Sequence, residues 1–139
     1  MLRMRRQPQP SGVETEIFPI SSSTDDWFQI NPTSNTLSNN ENEVWNSGRF
    51  APACIRYEFE TSVRCTRVEL LPCMSPESGD VIHEIRAGSD VFRFSGRAVD
   101  RTWINAEIKA ERVKSIEIHT LKSPSWVAWR RVRFWTTKY

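Results

Sequence analysis

From Cys54 onward, apolar and polar residues alternate in short runs, and that periodicity leaves the chain little freedom in what it can fold into. Residues two apart share a face of an extended strand. Ile55, Tyr57 and Phe59 therefore fall on one side of a strand at 54–60, with Arg56, Glu58 and Glu60 on the other. Residues 63–71 repeat the theme, and further strands are expected at 81–87, 91–94, 102–108, 113–120 and 127–136. Turn-rich links separate them at 75–80, 88–90 and 123–125. No segment of more than about ten residues carries a helical period. Short strands at roughly 10-residue spacing, with no internal repeat, predict an all-β antiparallel sandwich or barrel.

At 139 residues the chain is expected to form one domain with a real core. Residues 1–15 are polar, proline-bearing and aperiodic, and read as a flexible N-terminal arm; the domain is expected over 16–139. Residues 31–48 are rich in Asn, Ser and Thr and read as a long surface loop ending near Trp45. No apolar window is long enough to span a membrane. The basic start lacks an apolar core behind it, which excludes a secretory signal in the residues given and makes a cytoplasmic location the expectation, secretion by another route being left open. Cys54, Cys65 and Cys73 are odd in number and lack a short Cys-x-x-Cys pair, so buried free thiols are expected rather than a disulfide framework. His83 and His119 lie far along the chain from any cysteine cluster, and no metal site is legible.

The formal charge of +2 is small but unevenly spread. From Lys109 to Tyr139 there are eight Lys/Arg against two Glu. Three of the six tryptophans, Trp126, Trp129 and Trp135, stand in the run from Ser123 to Trp135. Strict alternation there places Trp129, Arg131, Arg133 and Trp135 on one face and Ala128, Arg130, Val132 and Phe134 on the other. Arg130 would then be buried beside Ala128 and Val132 and would need an anionic or carbonyl partner. Glu43 or Glu41, from the long loop, is the expected partner, giving Arg130 and Glu43 a structural role.

Three stretches carry a resemblance. Trp45-Asn46-Ser47-Gly48-Arg49-Phe50-Ala51-Pro52-Ala53-Cys54-Ile55-Arg56-Tyr57-Glu58-Phe59 resembles a segment of discoidin domains, the F5/8 type C group of the galactose-binding-like jelly rolls. Val68-Glu69-Leu70-Leu71-Pro72, followed by Ser75-Pro76 and Val81-Ile82-His83-Glu84-Ile85, is similar to the next strands of that family. Ser123-Pro124-Ser125-Trp126-Val127-Ala128-Trp129-Arg130 is similar to its last strand. The resemblance covers about residues 24–136. It implies an antiparallel jelly-roll β-sandwich of eight or so strands, with neighbouring termini and ligand-binding loops at one end. Bacterial members bind mostly glycans, extracellular animal members phospholipid or protein, and a Doc-type ubiquitin-ligase subunit uses the fold inside the cell. Trp45 matches a core position of the family. Relatives often carry an Asp-Gly pair where this chain has Ser38 and Asn39. A structural calcium is thus not called for, although Asn side chains and carbonyls are able to ligate one. His83 lacks the Arg-x-Asp partner arrangement of fucose-binding relatives.

A sugar site combines an aromatic face with planar polar groups that match vicinal hydroxyls. The candidates at loops and strand ends are Asn46, Arg49, Phe50, His83, Glu84, Trp103 and Trp126. His83 also reads as a structural histidine, and Trp126 as either a stacking platform or a lid. Catalysis finds no support: the chain has no Gly-x-Ser-x-Gly elbow, and Asp25 and Asp26 are adjacent and would diverge in a strand. The reading is a non-enzyme that binds a ligand, first a carbohydrate; the alternative is an intracellular protein-interaction or assembly module, including a homo-oligomer. Nucleic acid is not expected at this net charge.

Overall fold

The computed structural model describes residues 13–25 and 31–138. Among these residues eight strands run in the order β1 (Val13–Ile17), β2 (Ser21–Ser23), β3 (Trp45–Asn46), β4 (Ala53–Pro72), β5 (Ser78–Ala87), β6 (Asp90–Val99), β7 (Ile104–Lys122) and β8 (Ala128–Lys138). A 3₁₀ turn, Thr33–Leu37, lies in the Asn-rich loop. All pairings are antiparallel, in the order β1-β8-β4-β7-β5-β6, with β2 on β4 and β3 on β8. No helix among the described residues is long and apolar enough to cross a membrane. The expected arm over residues 1–12 lies outside the described residues, but 13–15 belong to β1 rather than to an arm.

The two layers arise because β4 and β7 each pass from one sheet to the other. The first half of β4 pairs with β2 and the C-terminal half of β7; its second half pairs with β8 and the N-terminal half of β7. Each of these strands was expected as two. Residues 60–63 contain neither Gly nor Pro, so the chain bends there through register shifts between Glu58, Val63, Cys65 and Arg67 instead of turning back. The shifts also re-phase the alternation. Ile55, Tyr57 and Phe59 face inward before the bend, and Val68 and Leu70 after it.

The last strand shows the same device. A register shift between Leu71 and Pro72 of β4 marks a bulge in β8. Trp129 is thereby buried on His83, while Val132 and Phe134 face the core two and four residues after Arg130. Strict alternation, which had set Trp129 with Arg131 and Arg133, fails at this bulge. Tyr57, Phe59 and Phe134 close the core edge to face, at 5.0 and 5.4 Å between ring centres. Val13 to Ile17 pair with Lys138 to Phe134, which brings the two ends of the described domain together.

Candidate functional site

At one end of the sandwich three loops are stitched side by side. The Asn46–Phe50 turn needs a positive φ of 73° at Gly48, and Asn46 Oδ1 accepts the Gly48 N–H at 2.8 Å. Ser47 N donates to Val127 O, and Val127 N donates to Arg49 O, at 2.8 and 3.0 Å, so this turn is bonded to the segment that carries Trp126. On the other side, Ser125 Oγ accepts Ser75 N–H at 3.0 Å, and Cys73 N donates to Ala128 O. Gly79 completes the seat: a Cβ there would lie 2.6 Å from Pro124 Cγ.

These loops enclose an open cleft of about 450 Å³ lined by Asn46, Phe50, Cys73, Met74, Ser75, Ser125, Trp126, Ala128 and Arg130. Phe50 and Trp126 stand at its edge as a T-shaped pair with centroids 6.5 Å apart. They are 57% and 44% exposed, unusual for rings of this size held by so many backbone bonds. Trp126 therefore keeps much of its ring at the surface.

Arg130 forms part of the wall, and its anchoring differs from the expectation. Its carboxylate partner is Asp100, at 3.2 Å, not Glu43 or Glu41. The long loop contributes only the Glu41 backbone carbonyl, 3.3 Å from Nη1, and the Glu43 side chain is exposed. The bulge turns Arg130 toward the loop between β6 and β7, where Asp100 also accepts the Met74 N–H at 3.0 Å. Within the long loop, Asn40 O accepts from Glu43 N, Asn40 Oδ1 from Asn42 N, and Glu41 O from the guanidinium.

Of the seven candidate ligand residues, the cleft gathers Asn46, Phe50 and Trp126. Arg49 is exposed on the same turn but does not line the cleft. His83 is 4% exposed, bonded to Thr120 Oγ1 at 2.9 Å and stacked on Phe94; it is a core residue. Burial pushes its pKa down to about 4. Glu84 sits on an outer face, clamped by Arg93 and Arg86 at 2.6 and 2.9 Å, which hold its carboxyl below the usual range. Trp103 lies under the Arg133 guanidinium, 5.4 Å from the ring centre, away from the cleft. Trp45 is 1% exposed in the core. Arg131, set by strict alternation on the face opposite Arg130, is buried as well, and desolvation lowers its pKa.

Met74, Ser75 and Ser125 were missed as lining residues. The Ser75-Pro76 and Ser123-Pro124-Ser125 turns were visible, but nothing in their composition says that they meet. Also missed was a second cluster. Cys54 and His119, 65 positions apart, are direct partners across β4 and β7, and Cys54 is half-buried on the outer side of β4 rather than in the core.

No family model matches the chain, and no curated protein matches it in sequence. Solved structures do match. A truncated AlyQ with family 32 carbohydrate-binding and alginate lyase domains superposes with a TM-score of 0.74 at 16% identity; the match covers 92% of this chain and 34% of that one. The family 32 carbohydrate-binding module of Clostridium perfringens NanJ, solved with galactose, matches at 0.69 and 16% identity over 89% and 100% of the two chains. An F5/8 type C domain from Bacteroides fragilis matches at 0.71 and 10% identity over 94% and 100%. The fold is that of family 32 modules and discoidin domains, an all-β jelly-roll sandwich, as the three sequence stretches implied.

Proposed function

We propose that this domain is a non-catalytic carbohydrate-binding module whose sugar seats in the cleft beside Phe50 and Trp126. The observation that carries this reading is the exposed, backbone-fixed aromatic pair at the edge of a cleft of ligand size. Aromatic faces take the C–H side of a pyranose, and the Asn46 amide and the Ser75 and Ser125 side chains are suited to its hydroxyls. None of the described cleft residues carries a carboxylate or an imidazole, and burial raises the Cys73 thiol, so the cleft lacks an acid–base pair. Solved modules of the same fold hold galactose, an unsaturated mannuronic acid, or GalNAc-β-1,3-galactose, which supports the glycan class.

The test is a glycan array followed by titration of the best ligands, read by Trp fluorescence. Saturable binding is expected at up to millimolar concentrations, as befits a shallow single site whose avidity comes from multivalency. Trp126→Ala and Phe50→Ala should each weaken it by at least about tenfold, the effect of losing one stacking contact of about 1.4 kcal/mol. An array blank at millimolar sugar would sink the reading.

A protein-interaction role is favoured by a different observation: Phe18 and Ile20 are 70% and 65% exposed next to β1. Light scattering checks its self-association form, and a monodisperse monomer removes that form.

A further inference from the structure

We propose that Cys54 Sγ, His119 Nε2 and a Glu117 carboxylate oxygen form a binding site for a borderline d-block cation of the Zn²⁺ type, its fourth coordination position open to solvent. The site lies on the outer face of the layer formed by the first half of β4 and the last part of β7. Cys54 and His119 are register partners across those strands, and Glu117 is two residues before His119 on the same face. All three are half-buried, and their ligand atoms lie within 4.8 Å of one another.

The distances suit a tetrahedral ion. Metal bonds of about 2.3 Å to sulfur and about 2.0–2.1 Å to nitrogen or oxygen put neighbouring ligand atoms about 3.3–3.6 Å apart. Cys54 Sγ is 3.4 Å from His119 Nε2. Glu117 Oε1 is 2.6 Å from the same nitrogen and would need to swing out by less than about 1 Å. Its other oxygen, Oε2, accepts Arg56 Nε at 2.9 Å, so the carboxylate is already oriented by an outer partner.

Hydrogen bonding alone leaves this cluster in conflict. Nε2 carries either one hydrogen or one lone pair and can serve only one of its two neighbours. If it donates to Glu117, the thiol has no acceptor there; if it accepts from the thiol, it faces Glu117 lone pair to lone pair. A cation that replaces the shared proton satisfies all three atoms. A nucleophilic cysteine is the poorer alternative. It would need the acid on Nδ1, whereas both neighbours converge on Nε2. The mixed S, N, O donor set selects Zn²⁺ or Co²⁺ over Ca²⁺ or Mg²⁺.

The test is titration of the metal-stripped full chain with Co²⁺, followed by displacement with Zn²⁺. One equivalent of Co²⁺ should give a thiolate charge-transfer band and the visible bands of a four-coordinate ion, and Zn²⁺ should abolish both. Cys54→Ser should lose the charge-transfer band, and both it and His119→Ala should bind at least about 100-fold more weakly, more than the 10–100-fold typical of outer partners. Cys73→Ser should match the parent. Circular dichroism and a thermal melt confirm that each variant is folded. Where Cys54→Ser does not fold, alkylation of Cys54 in the parent, mapped by mass spectrometry, should be slowed by Zn²⁺. Absence of the charge-transfer band in the parent, its survival in Cys54→Ser, or alkylation indifferent to Zn²⁺ overturns the proposal.

Discussion

Gly79 shows how one residue governs the cleft from outside it. The Pro124 ring occupies the space a side chain would need, with Cγ only 2.6 Å from an ideal Cβ and no flexible end to move aside. Gly79→Ala is expected to push the 123–126 turn outward and cost about 1–3 kcal/mol by overpacking. The same change should weaken sugar binding, because Trp126 rides on that turn. Paired urea melts and titrations check both effects; intact binding alongside a large stability loss would separate the turn from the site. His83 yields a prediction about pH. Its folded pKa of about 4 lies below the ordinary 6.5, so the unfolded chain binds the proton first. Its contribution is complete above pH 6.5 and is lost as pH falls toward 4. Between pH 7 and 4.5 that is about 2–3 kcal/mol at 1.36 kcal/mol per unit. His83→Gln, which can still bond Thr120, should flatten the stability–pH curve by that amount in chemical denaturation; an unchanged curve refutes neutral burial.

At the scale of the element, the bulge in β8 decides what Arg130 does. By placing Trp129 inside, it aims the guanidinium at Asp100, and both side chains are largely buried, at 10% and 20% exposure. Asp100→Ala strands that charge and removes the acceptor of Met74 N–H, and should cost about 3 kcal/mol. Asp100→Asn keeps an acceptor and should cost less than half as much. Urea midpoints separate the two, and equal losses would argue against an ionic tie. The arginine's need for a partner was legible in the sequence, because burial of a charge demands one. Its identity was not: an exposed Glu43 and a half-buried Asp100 look alike until the register is known. Strand existence was legible from alternation in the same way, whereas the bends in β4 and β7 were not. Bulges insert residues without any Gly or Pro to mark them, as 60–63 illustrates. Phe50 and Trp126 stood out as candidates from their turns, but the exposure of Trp126 was not legible, and their meeting depends on the Ser47–Val127 and Val127–Arg49 backbone bonds across the molecule.

For the whole molecule, the sandwich depends on how its edges are closed. β3 covers β8 at Ala128 and Trp129, and β1 covers it from Phe134 to Lys138. Without β1, the backbone of Phe134-Trp135-Thr136-Thr137 would be an uncharged, β-prone open edge, a template for pairing with another chain. The Glu14–Arg67 ion pair adds little to this closure, since Glu14 is 37% exposed and such pairs are worth about 0–1 kcal/mol. The two contributions can be told apart. A chain beginning at Phe18 should lose thermal stability and form higher-order species in light scattering. Glu14→Gln, which keeps every backbone bond of β1, should stay monodisperse and lose no more than about 1 kcal/mol. A synthetic peptide of residues 13–19 in excess should restore the truncated chain by adding back the missing strand. A truncated chain that remains monomeric and equally stable would show that β8 is protected by its own bulge and twist, with β1 a dispensable cover.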